Sequence, residues 1–218
     1  GTKNWITNGN SASVYLVIAQ TNPENGHRGI NALIVEKGMP GFEVGLKENK
    51  LGIRGSDTHS LLFNDVKVPK ENRIGDDGFG FKFAMSTLSG GRIGIAAQAL
   101  GIASGAYELS LEYSKQRKAF GKAISEHQAI AFKLADMAVE LRAADLLVKD
   151  AISKADQGVM TDSDAAMVKL YCSEMLNRVA DNTVQIYGGM GLMDDLPVQR
   201  LWRDSRLERI WDGTSEIQ

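Results

Sequence analysis

From Lys3 to about Pro69 the apolar positions come in short or alternating runs, each closed by turn residues. Trp5-Ile6-Thr7 stops at Asn8-Gly9, a hairpin-type pair, and Val14 to Ala19 stops at Thr21-Asn22-Pro23 and Asn25-Gly26. Ile30 to Val35 is β-branched and apolar, Met39-Pro40-Gly41 breaks it, and Ser60 to Val68, with Asn64-Asp65 inside, reads as one or two further strands. Strands in succession without intervening helices predict an antiparallel sheet, barrel or sandwich. After Gly78 the period changes. Ile130, Leu134, Met137, Leu141, Ala144, Val148 and Ala151 recur at alternating steps of four and three, the seam of a long helix. Thr161-Asp162-Ser163-Asp164 then sets a hydroxyl at an N-cap with an acid three positions on, and Val168, Cys172, Met175, Val179 and Ile186 follow on one face. A helix rich in Ala and Gly is expected from Phe81 to about Ser114. Another is expected from Leu196 to Ile210, with Pro197 in its first turn.

The fold class is therefore α+β: an antiparallel β-domain over residues 1–75 and a C-terminal four-helix bundle over residues 76–218, joined near Asp76-Asp77-Gly78. No segment repeats at a fixed period.

Composition narrows the chemistry. The 218 residues carry 25 Lys+Arg and 27 Asp+Glu, a net charge of −2, so no field favours a polyanion and nucleic acid is not an expected partner. The least polar stretch, Ile93 to Tyr107, is interrupted by Gln98 and Ser104 and falls short of the roughly 20 residues of a membrane span. Cys172 is the only cysteine, and His27, His59 and His127 lie far apart, so no metal site is expected. The first residue is Gly, and Thr214 to Gln218 reads as the first turn of a helix that stops early, which suggests a piece of a longer chain.

Three segments carry candidate chemistry. Gln116-Arg117-Lys118-Ala119-Phe120-Gly121-Lys122 could clasp a phosphorylated, ring-bearing ligand; it reads equally as a solvated interhelical loop. Gly188-Gly189-Met190-Gly191 lacks the dinucleotide-fold spacing and suits a helix C-cap, although bare glycine backbone also admits a ligand. Trp211-Asp212-Gly213-Thr214 sets a carboxylate between an indole and a glycine just past a helix. Desolvation of that kind raises a carboxylate toward the range of a general base, while Asp-Gly is also an ordinary turn. Arg203 to Arg209 reads as a solvated helical face of exposed charge pairs, which makes Glu208, one turn earlier, a poorer candidate than Asp212.

Together, Trp5 to Gly9, Leu51-Gly52-Ile53-Arg54-Gly55-Ser56, Phe63 to Pro69, Gly90 to Gly101, Arg117 to Lys122, Gln185 to Gly191 and Gly213 to Gln218 resemble the acyl-CoA dehydrogenase family, above all its short-chain, butyryl-type branch. The resemblance spans the whole chain in family order. It implies the later part of a middle β-domain and nearly all of a C-terminal helical domain, without the N-terminal helical domain. It also implies FAD as cofactor, an acyl-CoA substrate, electron-transfer flavoprotein as electron acceptor, a homodimer or homotetramer, and a bacterial cytoplasmic or mitochondrial-matrix location. By resemblance, Trp5 packs against the flavin and Thr7 faces its N5. Arg117 and Phe120 reach the ADP half of FAD in a neighbouring subunit, Gln185, Gly188 and Gly189 line the same interface, and Thr214 and Glu216 make a further FAD contact. Arg92 and Gly213 fall on the substrate side, and Asp212 stands where short- and medium-chain members place a catalytic Glu. Aspartate is shorter by one methylene, on the order of 1 Å of reach, so an alicyclic or branched acyl-CoA is a second reading and a non-catalytic flavoprotein-like chain a third. Branches with the base on the earlier helix carry it immediately before the position of Arg92; here that residue is Gly91. Ser89 replaces an acid common in relatives.

Overall fold

A computed structural model describes residues 1–218. The chain divides into two compact units, Gly1–Thr87 and Leu88–Gln218.

The first unit holds two antiparallel sheets. One has the order β1-β5-β4, from Thr2–Thr7, Thr58–Phe63 and Phe42–Lys47; the other has the order β2-β3-β6, from Val14–Gln20, Ile30–Glu36 and Arg73–Ile74. The Asn8-Gly9 pair does not close a hairpin. β1 pairs instead with the distant β5, and the turn is held because Tyr15 Oη donates to the carbonyls of Gly9 and Ala12, 2.9 Å each. Tyr15, Val17, Val35, Phe42 and Leu61 form the unit's core. Ser60 to Val68 contributes one strand, ending at Phe63. Asp65 turns left-handed at φ 52°, and Val66 and Val68 pack on the core without pairing.

The second unit is helical, and α1 (Gly80–Gln116) runs into it from the first. After α1 a short hairpin, β7 (Lys118–Ala119) and β8 (Lys122–Ala123), leads to α2 (Gln128–Asp156), α3 (Asp162–Tyr187) and α4 (Val198–Ser205). The expected seam of α2 is its inner face: Leu134, Met137, Ala144, Val148 and Ala151 are buried. Thr161 caps α3, its Oγ1 accepting from the Asp164 amide at 3.1 Å while the Asp164 carboxylate accepts from the Thr161 amide at 2.9 Å. On α1 the buried positions include Ala96, Ala99, Ala103, Ala106, Ser110 and Ser114. Small residues there let α3 come close enough for Thr183 Oγ1 to lie 3.3 Å from the Ala106 carbonyl and 3.0 Å from Ser110 Oγ.

The last helix departs from its expected span of Leu196 to Ile210. Pro197 is the N-cap, α4 stops at Ser205, and Arg206–Arg209 tightens into a 3-10 turn. There Asn177 Nδ2, on α3, donates to the Ser205 carbonyl at 3.0 Å, the group that the next helical turn would use. No helix is long and apolar enough to cross a membrane.

Candidate functional site

The Arg206–Arg209 turn corrects the solvated reading of its charges. Glu208 is fully buried, with Oε1 accepting from Gln98 Nε2 on α1 at 2.7 Å and Oε2 accepting from the Trp211 indole at 3.0 Å. Burial pushes its carboxyl above the ordinary glutamate range, while the indole N–H, the Gln98 amide and the Lys169 ammonium pull the other way. Lys169, on α3, is also fully buried and donates to the Gly213 carbonyl at 2.6 Å. Burial pulls this lysine below its usual value, against the opposing charges of Asp212 and Glu208. Lys169 was not legible as part of a site and Glu208 only as a poorer candidate than Asp212: a Lys within a helical run and a Glu among arginines both match surface patterns, and only the packing of α1, α3 and the 3-10 turn brings them inside.

These groups frame Trp211-Asp212-Gly213. Asp212 and Gly213 are both left-handed, at φ 51° and 100°. Aspartate tolerates that region better than most non-glycine residues. The turn's carbonyls are held from several sides: Gln218 Nε2 donates to those of Asp212 and Gly213, 3.1 Å each, and Arg92 Nε points at that of Asp212 from 3.4 Å. The Asp212 side chain is partly exposed and lies over α1 at Gly91, where an added Cβ would stand only 2.7 Å from Asp212 Oδ2. The bare glycine is what makes room for the carboxylate. Beyond the turn, the Glu216 carboxylate is held below its ordinary range by its own backbone N–H, the Thr214 hydroxyl and the charges of Arg209 and Arg206. Ser215 Oγ and Arg209 Nε both donate to Glu174 Oε1, at 2.6 and 2.7 Å. Thus Arg92, Asp212, Gly213, Thr214 and Glu216 occupy one end of the bundle.

A second group gathers where α1 and α3 finish. Arg117, Gly188 and Gly189 line a hollow of about 460 Å³ with Tyr113, Tyr187 and Met193. The tyrosine rings are stacked, with centroids 4.0 Å apart. Gly188 is the C-cap of α3 at φ 58°, and an added Cβ at Gly188 or Gly189 would meet open space. Gln185 is exposed on the last turn of α3. Phe120 and Gly121 form the two-residue turn of the β7-β8 hairpin, both left-handed, and Phe120 is 96% exposed. A phenylalanine in that conformation presents its ring to solvent at a conformational cost. A guanidinium with open glycine backbone and exposed aromatic surface fits the phosphate-bearing half of a dinucleotide such as FAD. Ser89 Oγ donates to Asp162 Oδ1 at 2.7 Å, linking α1 to the start of α3.

On the sheet unit, Trp5 sits at a β-bulge where the β1-β5 register shifts between Lys3 and Ile6. Its φ is 56° and it is 75% exposed, an unusual backbone state for a bulky residue that re-aims its side chain. Thr7, at the end of β1, lines a hollow of about 420 Å³ with Ile6, Asn8, Ala12 and Tyr15.

Two family models match the chain, "Acyl-CoA dehydrogenase, middle domain" over residues 1–66 and "Acyl-CoA dehydrogenase, C-terminal domain" over residues 78–218. The short-chain specific acyl-CoA dehydrogenase of Megasphaera elsdenii is 50% identical over all 218 residues, which cover 57% of that protein. The solved structure of butyryl-CoA dehydrogenase from the same organism superposes with a TM-score of 0.95 at 49% identity, covering the whole of this chain and 57% of that one. A chain in a structure described as the electron transferring flavoprotein of Acidaminococcus fermentans gives a TM-score of 0.96 at 46% identity, again over 100% and 57%. The chain thus spans a little over half the length of the relatives it matches. With both domain models in order along the sequence, and the antiparallel sheets followed by helices that the resemblance implied, the chain belongs to the acyl-CoA dehydrogenase family.

Proposed function

We propose that the protein is a flavin-dependent acyl-CoA dehydrogenase that forms an α,β-double bond, with Asp212 as the base, residues 1–75 as part of the middle domain and residues 76–218 as the helical domain. The observation that carries this reading is the placement of Asp212: a carboxylate on a left-handed turn, set over the bare backbone of Gly91 and clamped at the carbonyl beyond it by Lys169. FAD, when bound, supplies the two-electron acceptor for the β-hydride. Asp212 takes the α-proton of the acyl thioester, whose carbonyl lowers the barrier to removing it. Arg92 and Gly213 flank the acyl-CoA. Trp5 and Thr7 are proposed flavin contacts from the sheet unit, and Thr214 and Glu216 are a further FAD contact beside the base.

Arg117 stands just past Gln116, and 24 residues of helix separate Gln116 from Arg92, roughly 36 Å at 1.5 Å per residue. That separation supports assigning Arg117, Phe120, Gln185, Gly188 and Gly189 to the ADP half of a FAD bound mainly by a second copy, and hence a homodimer or homotetramer. Electron-transfer flavoprotein as acceptor is supported by the likeness to the Acidaminococcus fermentans structure.

The shorter reach of Asp212 favours a second reading, in which the base accommodates a bulkier alicyclic or branched α-carbon. Anaerobic titration of the complete protein with butyryl-CoA and, separately, cyclohexanecarboxyl-CoA, followed by the visible flavin absorbance, tests both. Bleaching by butyryl-CoA supports the short-chain reading, and bleaching by the cyclic thioester alone supports the second. If a bound flavin responds to neither, both are rejected.

A further inference from the structure

The left-handed pair Asp212-Gly213 is not held by its own backbone. Neither of its carbonyls accepts a backbone N–H. Side chains alone meet them: Gln218 Nε2 reaches both at 3.1 Å, Arg92 Nε that of Asp212 at 3.4 Å, and Lys169 Nζ that of Gly213 at 2.6 Å. Two successive positive φ values, one of them at a residue with a side chain, persist only where the surroundings over-determine them. Of the three donors, Lys169 makes the shortest contact, is fully buried, and is the one that comes from α3. α3 also holds the chain on both sides of the turn, through Asn177 at the Ser205 carbonyl and through Glu174 at Arg209 and Ser215. Burying an ammonium against a single carbonyl is costly, and an apolar side chain of the same length would fill the space without that cost. Packing does not account for this lysine; the carbonyl it holds does.

We propose that Lys169 is a positioning residue for Asp212: it ties the Gly213 carbonyl to α3, and so keeps the left-handed pair in the state that lays the Asp212 carboxylate over Gly91. This rests on the reading of Asp212 as base. Without that donor the glycine, which has many backbone states open to it, is free to turn, and Asp212, for which the left-handed state is not the resting one, follows. A misplacement on the order of 1 Å can cost a reaction about a hundredfold. Gln218 keeps its bonds to both carbonyls when Lys169 is replaced, so the expected loss is smaller, on the order of tenfold.

The experiment follows exchange of the acyl α-protons with D2O by NMR, using the complete protein with butyryl-CoA and with cyclohexanecarboxyl-CoA under anaerobic conditions, and measures acyl-CoA affinity alongside. Lys169→Met keeps the length of the side chain and removes the donor. It is expected to slow exchange on the order of tenfold while affinity stays within about threefold. Asn177→Ala is the control for loosening alone: it frees the Ser205 carbonyl of the same segment, and is expected to lower the melting temperature yet exchange within about twofold of wild type. Exchange by Lys169→Met within about twofold of wild type overturns the proposal, as does affinity lost in step with rate, or an Asn177→Ala protein slowed as much as Lys169→Met. Should Lys169→Met not fold, Lys169→Gln decides: its amide ends one atom short of the ammonium position, and unchanged exchange there also overturns the proposal. A wild-type protein that exchanges neither substrate, or an Asp212→Asn protein that exchanges as the wild type does, removes the reading of Asp212 as base and the proposal with it, a failure distinct from a silent Lys169→Met.

Discussion

Replacing Lys169 with Met tests whether the charges beneath the Asp212 turn are coupled. Methionine is unbranched and of similar length, so the variant fills the same space while removing the ammonium. It deletes the 2.6 Å bond to the Gly213 carbonyl and leaves Glu208 buried without its facing cation. Lys169 makes no ion pair with Glu208 or Asp212, so the loss is that of a hydrogen bond from a charged, fully buried donor, about 1.5–3 kcal/mol, with the upper end taken because the ammonium is buried. At roughly 2–4 °C per kcal/mol for a chain of this size, a cost of about 3 kcal/mol lowers the melting temperature by about 6–12 °C. The assay is thermal unfolding by circular dichroism at several pH values. Without Lys169 the carboxyl of Glu208 rises further above its unfolded value, so the folded state holds on to a proton that the unfolded state releases. The destabilisation is then greatest at high pH and shrinks as the pH falls through the raised Glu208 value. A second arm combines Lys169→Met with Glu208→Gln, which removes the orphaned charge and should recover about 1 kcal/mol or more of the single variant's loss. A Lys169→Met protein that melts within about 2 °C of wild type at neutral pH, or a double variant whose losses simply add, would refute the coupling.

Asp212→Asn in the complete protein should keep its flavin and lose dehydrogenation; near-normal turnover with the substrate that bleaches the wild type removes Asp212 as base. Arg117→Ala should lower flavin occupancy after purification, read from the ratio of visible to ultraviolet absorbance, and unchanged occupancy takes Arg117 out of the cofactor site. At the start of α3, Lys154 and Thr161 hold the Asp164 carboxyl well below the usual carboxylate range, so its contribution is present above that range and fades as pH falls below about 4. The melting temperature of Asp164→Asn should accordingly lie below wild type at neutral pH and converge with it in acid, and a gap that does not change with pH would sink this account.

Much of the architecture is written in local pattern. The α2 seam and the Thr161 cap depend on residues within a few positions of one another, and the structure places both where the spacing requires. The pairing of β1 with β5 is not local. Asn8-Gly9 carries hairpin chemistry, yet some fifty residues separate the strands that meet there, and no short-range signal reports that. The site divides in the same way. Asp212 stood out because an indole and a glycine flank it past a helical segment. Glu208 and Lys169 did not, because a charge on a helical repeat looks solvated until the partner helix is known. Trp5 was legible by resemblance alone; the bulge that sets its left-handed backbone is a property of strand pairing.

The long helix α1 has a consequence for how such a chain can vary. It carries Arg92 a third of the way along and runs without interruption to Gln116 beside Arg117, so the spacing of the two proposed ligand-binding groups is counted in residues. One residue inserted between them advances the far end by 1.5 Å and rotates it by about 100°, swinging Arg117 away from Gly188 and Gly189 while the alanine row facing α3 falls out of phase. Lengthening the connection between α2 and α3 has no such effect. The helix therefore works as a ruler, and insertions are tolerable in the loops around it but not along its length.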